Sequence, residues 1–478
     1  MRQLSRVLAT AAVLAGSLAP AVAHADSASV DHTAPPAGGA SARGQAASLV
    51  TLLGRTKTVA KEVSKIRGLP VKRAIPNDVV DRAELKRRLL ALAAEEKTRA
   101  QTGAESLALQ RWGLLPLGTD YEAMLVELLT EQIAGYYDPE TKRLTVSESA
   151  GDDPQWAEIV LAHEIDHALQ DQSFDLDAFQ KVADDEGDAE LARRALVEGD
   201  GVVLMYEVVL ARKGAAAPWS NVELTEGIAR SMDTPGVGPA GAAGATGTGS
   251  DALDRAPLAV RESLVFPYRA GFAFVAALRR RQPWAAVDAA FKRPPRSTEQ
   301  IIHPERYLAD DVPVPLAIAA LPSVPLTEYR RAHSTVWGEL GFDVFLRAHG
   351  VDPAAAAQAA AGWGGDRAVT FTLIADPRAE TAIGIERSEW DSEADAIEAA
   401  EALVRAFDHT LGGAAIARSD LRTTWFAVDG TLTWVERRGS GVVVVTGALA
   451  TMAGTLPAEV WTASPLRPAA TVRARPGG

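Results

Sequence analysis

The chain has 478 residues, 47% of them apolar and 23% charged, enough for two or three domains that each bury a core. Forty-nine Lys and Arg stand against 62 Asp and Glu, a formal charge of −13; that acidity argues against nucleic acid or an anionic lipid surface as the partner. There are no cysteines, which excludes a disulfide framework, a thiolate zinc site and lipid attachment through an N-terminal cysteine.

The first 25 residues read as a sorting signal. Arg2 and Arg6 precede the apolar run from Val7 to Leu18, and small residues follow at Ala21, Ala23 and Ala25. This order of basic, apolar and small residues is that of a cleavable signal peptide, so the product is expected to be exported, secreted or periplasmic. No later stretch reaches the ~18 apolar residues of a membrane helix, so no integral membrane segment is expected after cleavage. Residues 26–48 are rich in Ala, Ser, Gly and Pro and read as a disordered linker.

From Asp81 to about Thr102 the spacing of Leu85, Leu89, Leu90 and Leu92 predicts one amphipathic helix. A second helix is expected over Tyr121 to Ala134, ended by Gly135. Asp138-Pro139-Glu140-Thr141 is a turn signal, and Arg143 to Ser147 alternates as a short strand does. Asp153-Pro154 opens the next helix, which carries the segment Leu161-Ala162-His163-Glu164-Ile165-Asp166-His167. A further helix is predicted from about Asp184 to Ala211. Residues 234–251 are a low-complexity run of Gly, Ala, Thr and Ser and read as a disordered loop. Leu258 to Arg281 is helical again, and Pro294 to Leu308 is irregular.

After Trp363-Gly364-Gly365-Asp366 the texture changes. Strands are expected over 369–374, 382–386, 425–428, 432–437 and 442–446, with a helix over 393–411 and a hairpin turn at Asp429-Gly430. The fold class is therefore α+β: a mainly helical domain with a small sheet over residues 49–365, a smaller α+β domain over 366–465, and a tail over 466–478.

The chemistry lies in residues 163–167. Positions four apart share a helix face, so His163 and His167 can aim both imidazoles at one cation. Glu164 then sits beside the ion and can take a proton from a metal-activated water. A four-coordinate site needs a third protein ligand and an open position. Without cysteine the choice is His, Asp or Glu. Glu198, in Leu196-Val197-Glu198-Gly199-Asp200-Gly201, fits if its helix packs antiparallel to the first; Glu190 is its competitor. The flanking glycines permit close backbone approach. Asp171 and Asp200 are candidates to orient the ligands. For the oxyanion donor, Tyr268 is favoured over Tyr206, His303 and Tyr307.

A histidine pair on one helix with a glutamate in an Ala-Leu-Val-Glu-Gly segment on a following helix resembles the gluzincin clan of zinc metallopeptidases. The resemblance covers about residues 120–210. It implies a zincin-like catalytic domain, Zn2+ held by His163, His167 and Glu198, Glu164 as general base, and a peptide or protein substrate. It also implies an edge strand that pairs with an extended peptide, here Arg143, Leu144, Thr145 and Val146. Val202 stands where thermolysin-like members carry an aspartate. The competing expectation is a non-catalytic secreted binding protein on a similar fold.

Overall fold

A computed structural model describes residues 11–13, 49–148, 154–231, 251–412, 416–427 and 430–463. The expected linker and tail, nearly all of the expected leader and the 234–251 loop, and residues 428–429 of the hairpin turn lie outside them. No helix among the described residues is long and apolar enough to cross a membrane.

The N-terminal unit runs β1 (Ala11–Val13), α1 (Thr56–Arg67), β2 (Asn77–Val80), α2 (Arg82–Ala94), α3 (Glu96–Arg111), α4 (Tyr121–Gln132), β3 (Ile133–Asp138), β4 (Arg143–Ser147), α5 (Pro154–Phe174), α6 (Gly187–Arg212) and α7 (Leu258–Arg281). Asp81 and Asp120 cap α2 and α4 by accepting the amides of Glu84 and Ala123. The helix expected over 81–102 is two helices. Glu95 turns extended, with ψ 132°, because the buried face shifts phase: Leu85, Leu89 and Ala93 lie four apart, and the next buried position is Thr98. Gly135 does not stop α4. It is a strand residue, and its α-carbon faces the Glu164 side chain so closely that a Cβ would lie 3.3 Å from Glu164 Cγ.

The small sheet has the order β1-β3-β4-β2. β3 pairs antiparallel with β4, and β2 pairs parallel with the other side of β4. β4 is thus interior, with Leu144, Thr145 and Val146 buried. Both of its edges are taken, so the expectation that Arg143 to Val146 pair with a substrate is overturned. The strand that packs on the histidine helix through Gly135 is β3, and Ala11–Val13 pair antiparallel with its outer edge.

α5 and α6 form the core of the unit, with Leu161, Ile165, Ala168, Leu196, Val197 and Leu204 fully buried between them and their neighbours. They run antiparallel, as expected: the His163 ring lies on Gly201, and Gln170 reaches the Val197 carbonyl. α6 and α7 run parallel. Arg194 donates to the Ser263 carbonyl near their starts, Gly199 meets Gly271 midway, and Arg279 pairs with Glu207 near their ends. The glycine crossing is backbone on backbone, and either Cβ would enter the opposite main chain.

The C-terminal unit is β5 (Tyr329–Thr335), α8 (Gly338–Ala348), α9 (Pro353–Ala360), β6 (Trp363–Leu373), β7 (Ile383–Trp390), α10 (Glu393–Thr410), β8 (Ala417–Arg418), β9 (Arg422–Phe426), β10 (Thr431–Arg438) and β11 (Gly441–Leu449). Its seven strands form one sheet of order β5-β6-β7-β11-β10-β9-β8, antiparallel at every pairing. Helices cover one face through Phe345, Leu403 and Trp363. Trp434, Phe371 and Leu456 fill the other. A boundary at 365/366 would cut through β6, so the unit begins earlier, at about Tyr329. β5 escaped the sequence reading because Tyr-Arg-Arg-Ala-His-Ser-Thr is polar: it is an edge strand, with Arg330 and Arg331 exposed. Residues 294–308 contain two short helices, Thr298–Ile302 and Pro304–Leu308.

The Gly199→Ala variant is expected to lose about 3 kcal/mol of stability or more, because neither main chain at the crossing can yield. A urea unfolding midpoint within error of the parent protein would contradict this packing.

Candidate metal centre

Three side chains converge between α5 and α6. His163 Nε2 lies 3.2 Å from Glu198 Oε2 and 2.9 Å from His167 Nε2, and His167 Nε2 lies 3.6 Å from the same carboxylate oxygen. They are the group among the described residues able to hold a metal ion, and all three are buried. Two ligands of a tetrahedral ion with bonds of ~2.0–2.1 Å stand about 3.3 Å apart. The three observed separations bracket that edge. Glu190, eight residues before Glu198 on α6, does not join them.

The other observation that fits a cation is an orphan. Glu198 Oε1 is buried and has no hydrogen-bond partner among the described residues. A buried carboxylate oxygen without a partner is costly, and a bound cation removes that cost. The electrostatics agree. Burial alone would raise the Glu198 carboxyl, but the imidazoles outweigh it and hold it below the ordinary carboxylate range. Burial works against charge on His167, yet Glu198 prevails and pushes that imidazole up to about 10. Burial, helped by His167, pushes His163 down. The pairing of Glu198 with the two imidazoles thus favours positive charge at His167.

Each ligand is set by its neighbours. Gly201 makes room for His163, since a Cβ there would lie 2.6 Å from the ring. The far nitrogen of His167, Nδ1, lies 3.0 Å from Gln170 Oε1. The Gln170 amide nitrogen in turn donates to Asp166 and Asp200, each at 3.0 Å. Asp200 is gripped by Arg67, which donates from Nε and Nη2 at 2.8 and 2.9 Å and from Nη1 to Asp288 at 2.8 Å. The Arg67 guanidinium is fully buried and stacks against Trp284. Asp200 is thus joined to His167 through Gln170.

Asp171 does not orient a ligand. It accepts the Tyr137 hydroxyl at 2.8 Å, the Lys142 ammonium at 2.9 Å and the Leu176 amide. One residue further along α5 it faces the sheet instead of α6. Its expected role belongs to Gln170, one helical step before it.

Glu164 is fully buried, between the histidines in sequence and under Gly135 of β3. Tyr268 is buried on α7, where its electrostatic neighbour is Arg194. Arg194 lies one turn before Glu198 on α6 and is itself buried. Tyr206 packs on Trp219 and Phe272. Tyr307 donates to the Arg293 carbonyl, and His303 pairs with Glu339 at 3.0 Å; neither belongs to the trio. Gln170, Arg67 and Arg194 were missed from sequence. Gln170 had a signal, its i,i+3 spacing from His167; the other two had none, because long-range packing alone brings them in.

Residues 326–455 match a family model described as Domain of unknown function (DUF8575). The match covers the C-terminal unit and none of the metal-centre residues. No curated protein and no solved structure matches the chain.

Two substitutions separate ligand positioning from folding. Gln170→Ala is expected to weaken metal binding 10- to 100-fold with little change in fold, read by competition with a chromogenic chelator. Arg67→Met strands Asp200 as a buried charge and should cost about 3–5 kcal/mol in chemical unfolding.

Proposed function

We propose that this chain is a zinc-dependent hydrolase acting on peptide bonds, with His163, His167 and Glu198 as the metal ligands and Glu164 as general base. The observation that carries the proposal is the spacing of the three ligand atoms, near a tetrahedral edge on every side, with a carboxylate next to the first histidine. Zinc suits two imidazoles and one carboxylate as its protein ligands. When bound, the ion acidifies water in the open position and polarises the substrate carbonyl.

The remaining work falls to the protein. Glu164 accepts the proton of the attacking water and returns it to the leaving amine. Its burial keeps it from bulk water, and Gly135 brings it against β3. Arg194 and Tyr268, on adjoining turns of α6 and α7 one turn from Glu198, are the buried donors we assign to the oxyanion side. An extended substrate is proposed to add to the outer edge of β3, which removal of the leader would free of Ala11–Val13. Ala11–Val13 support this: they lie there antiparallel, with Ala12 opposite Gly135, as an added strand would. Export through the N-terminal leader remains part of the proposal.

Glu164→Gln tests it. The variant should retain one equivalent of zinc and lose turnover 10²- to 10⁴-fold on a quenched-fluorescence peptide library. Zinc-loaded parent protein that cleaves no peptide, or a Gln variant with undiminished rate, would refute the assignment.

A further inference from the structure

A cavity of about 200 Å³ lies between the helical unit and the C-terminal unit. Its apolar walls are Leu109 and Trp112 of α3, Leu191 of α6, Val260 of α7, and Trp337 and Val344 of the C-terminal unit. It is smaller than the ~300–1,000 Å³ of typical small-molecule sites, and its scale is that of one long side chain. Three carboxylates also line it, from Glu105, Asp188 and Glu262, with no Lys or Arg among the described lining residues. Two of the three are engaged. Asp188 accepts the Thr298 amide and hydroxyl. Glu262 accepts Arg347 at 3.0 Å and Arg269 at 3.5 Å. Glu105 is different: Tyr121 hydrogen-bonds to its carboxylate and Arg194 acts on it through charge alone, and its Oε2 is buried with no hydrogen-bond partner.

We infer that this cavity is a specificity pocket for a basic side chain, lysine or arginine, of the substrate. The assignment rests on the peptidase reading above and names its substrate class. The apolar walls suit a methylene stem. Trp112 and Trp337, packed edge to face with centroids 4.8 Å apart, offer aromatic surface to a cation. Glu105 supplies the charge at the end, and a guanidinium or ammonium gives its Oε2 the hydrogen bond it lacks. Burial raises the Glu105 carboxyl to about 7. The pocket is also in reach of the chemistry. Leu191 lies seven residues before Glu198 on the same helix, about 10 Å at 1.5 Å per residue. An extended peptide covers that in about three residues.

The test separates the pocket from catalysis. The full chain is titrated calorimetrically with n-butylguanidine and with n-butylurea, which has a similar shape and no charge. The guanidine should bind at least tenfold more tightly. Glu105→Gln should bring the two within about twofold, and Leu191→Phe, which fills the cavity, should abolish both. Equal affinities in the parent protein, or no binding of either probe, would overturn the pocket, as would a guanidine preference that survives either substitution. Leu191→Phe decides the matter should the Gln variant not fold. In parallel, peptides carrying one lysine at successive positions are offered to the zinc-loaded parent. A guanidine preference with no cleavage of any peptide sinks the peptidase reading and keeps the pocket. Cleavage indifferent to lysine, with equal probe affinities, does the reverse.

Discussion

A carboxylate and two imidazoles, shut away from water between two antiparallel helices, must satisfy one another or share a cation. That requirement organises the N-terminal unit. Glu198 can reach the histidines only if α6 lies close on α5, and α6 can lie there only with Gly201 under the His163 ring. The same segment carries Gly199, which lets α7 press on the other side of α6. Two glycines closely follow the glutamate because two neighbours approach this stretch of backbone from different directions.

The buried charges behind the ligands extend the constraint to the N-terminal helix. Gln170 fixes His167 and hands its amide to Asp166 and Asp200, and Asp200 is held by Arg67 from α1. A guanidinium wholly removed from water is tolerable only with such matched partners. α1 is therefore an integral part of the support behind His163, His167 and Glu198. Residues 56–67 do not have the character of a segment to be shed: removing them would leave Asp200 and Asp288 uncompensated and strip the apolar cover that Val59, Ala60 and Val63 provide.

Much of this was legible in the sequence where local rules decide. Helical spacing placed His163 and His167 on one face, and the Glu-Gly-Asp-Gly segment pointed to Glu198. α7, α10 and the strands β10 and β11 followed from hydrophobic period alone. The failures have a common cause. Arg143 to Ser147 read correctly as a strand, but which side of it is free depends on β2, which pairs from residues 77–80 far away in the chain. Asp171 looked suitable by its spacing from His167, yet the 100° turn per residue sends it to the sheet while Gln170 faces α6. Gly135 looked like a helix stop and is a contact surface for Glu164. β5 hid because an edge strand with one wet face need not look apolar. In each case the element was readable and the partner was not.

The central claim is the coordination shell itself, and X-ray absorption at the zinc edge of the zinc-loaded chain tests it most directly. The account predicts one tightly held ion with two imidazole nitrogens and carboxylate and water oxygens at about 2.0–2.1 Å. A shell of oxygens alone, or a purified chain that takes up no zinc at all, would contradict it.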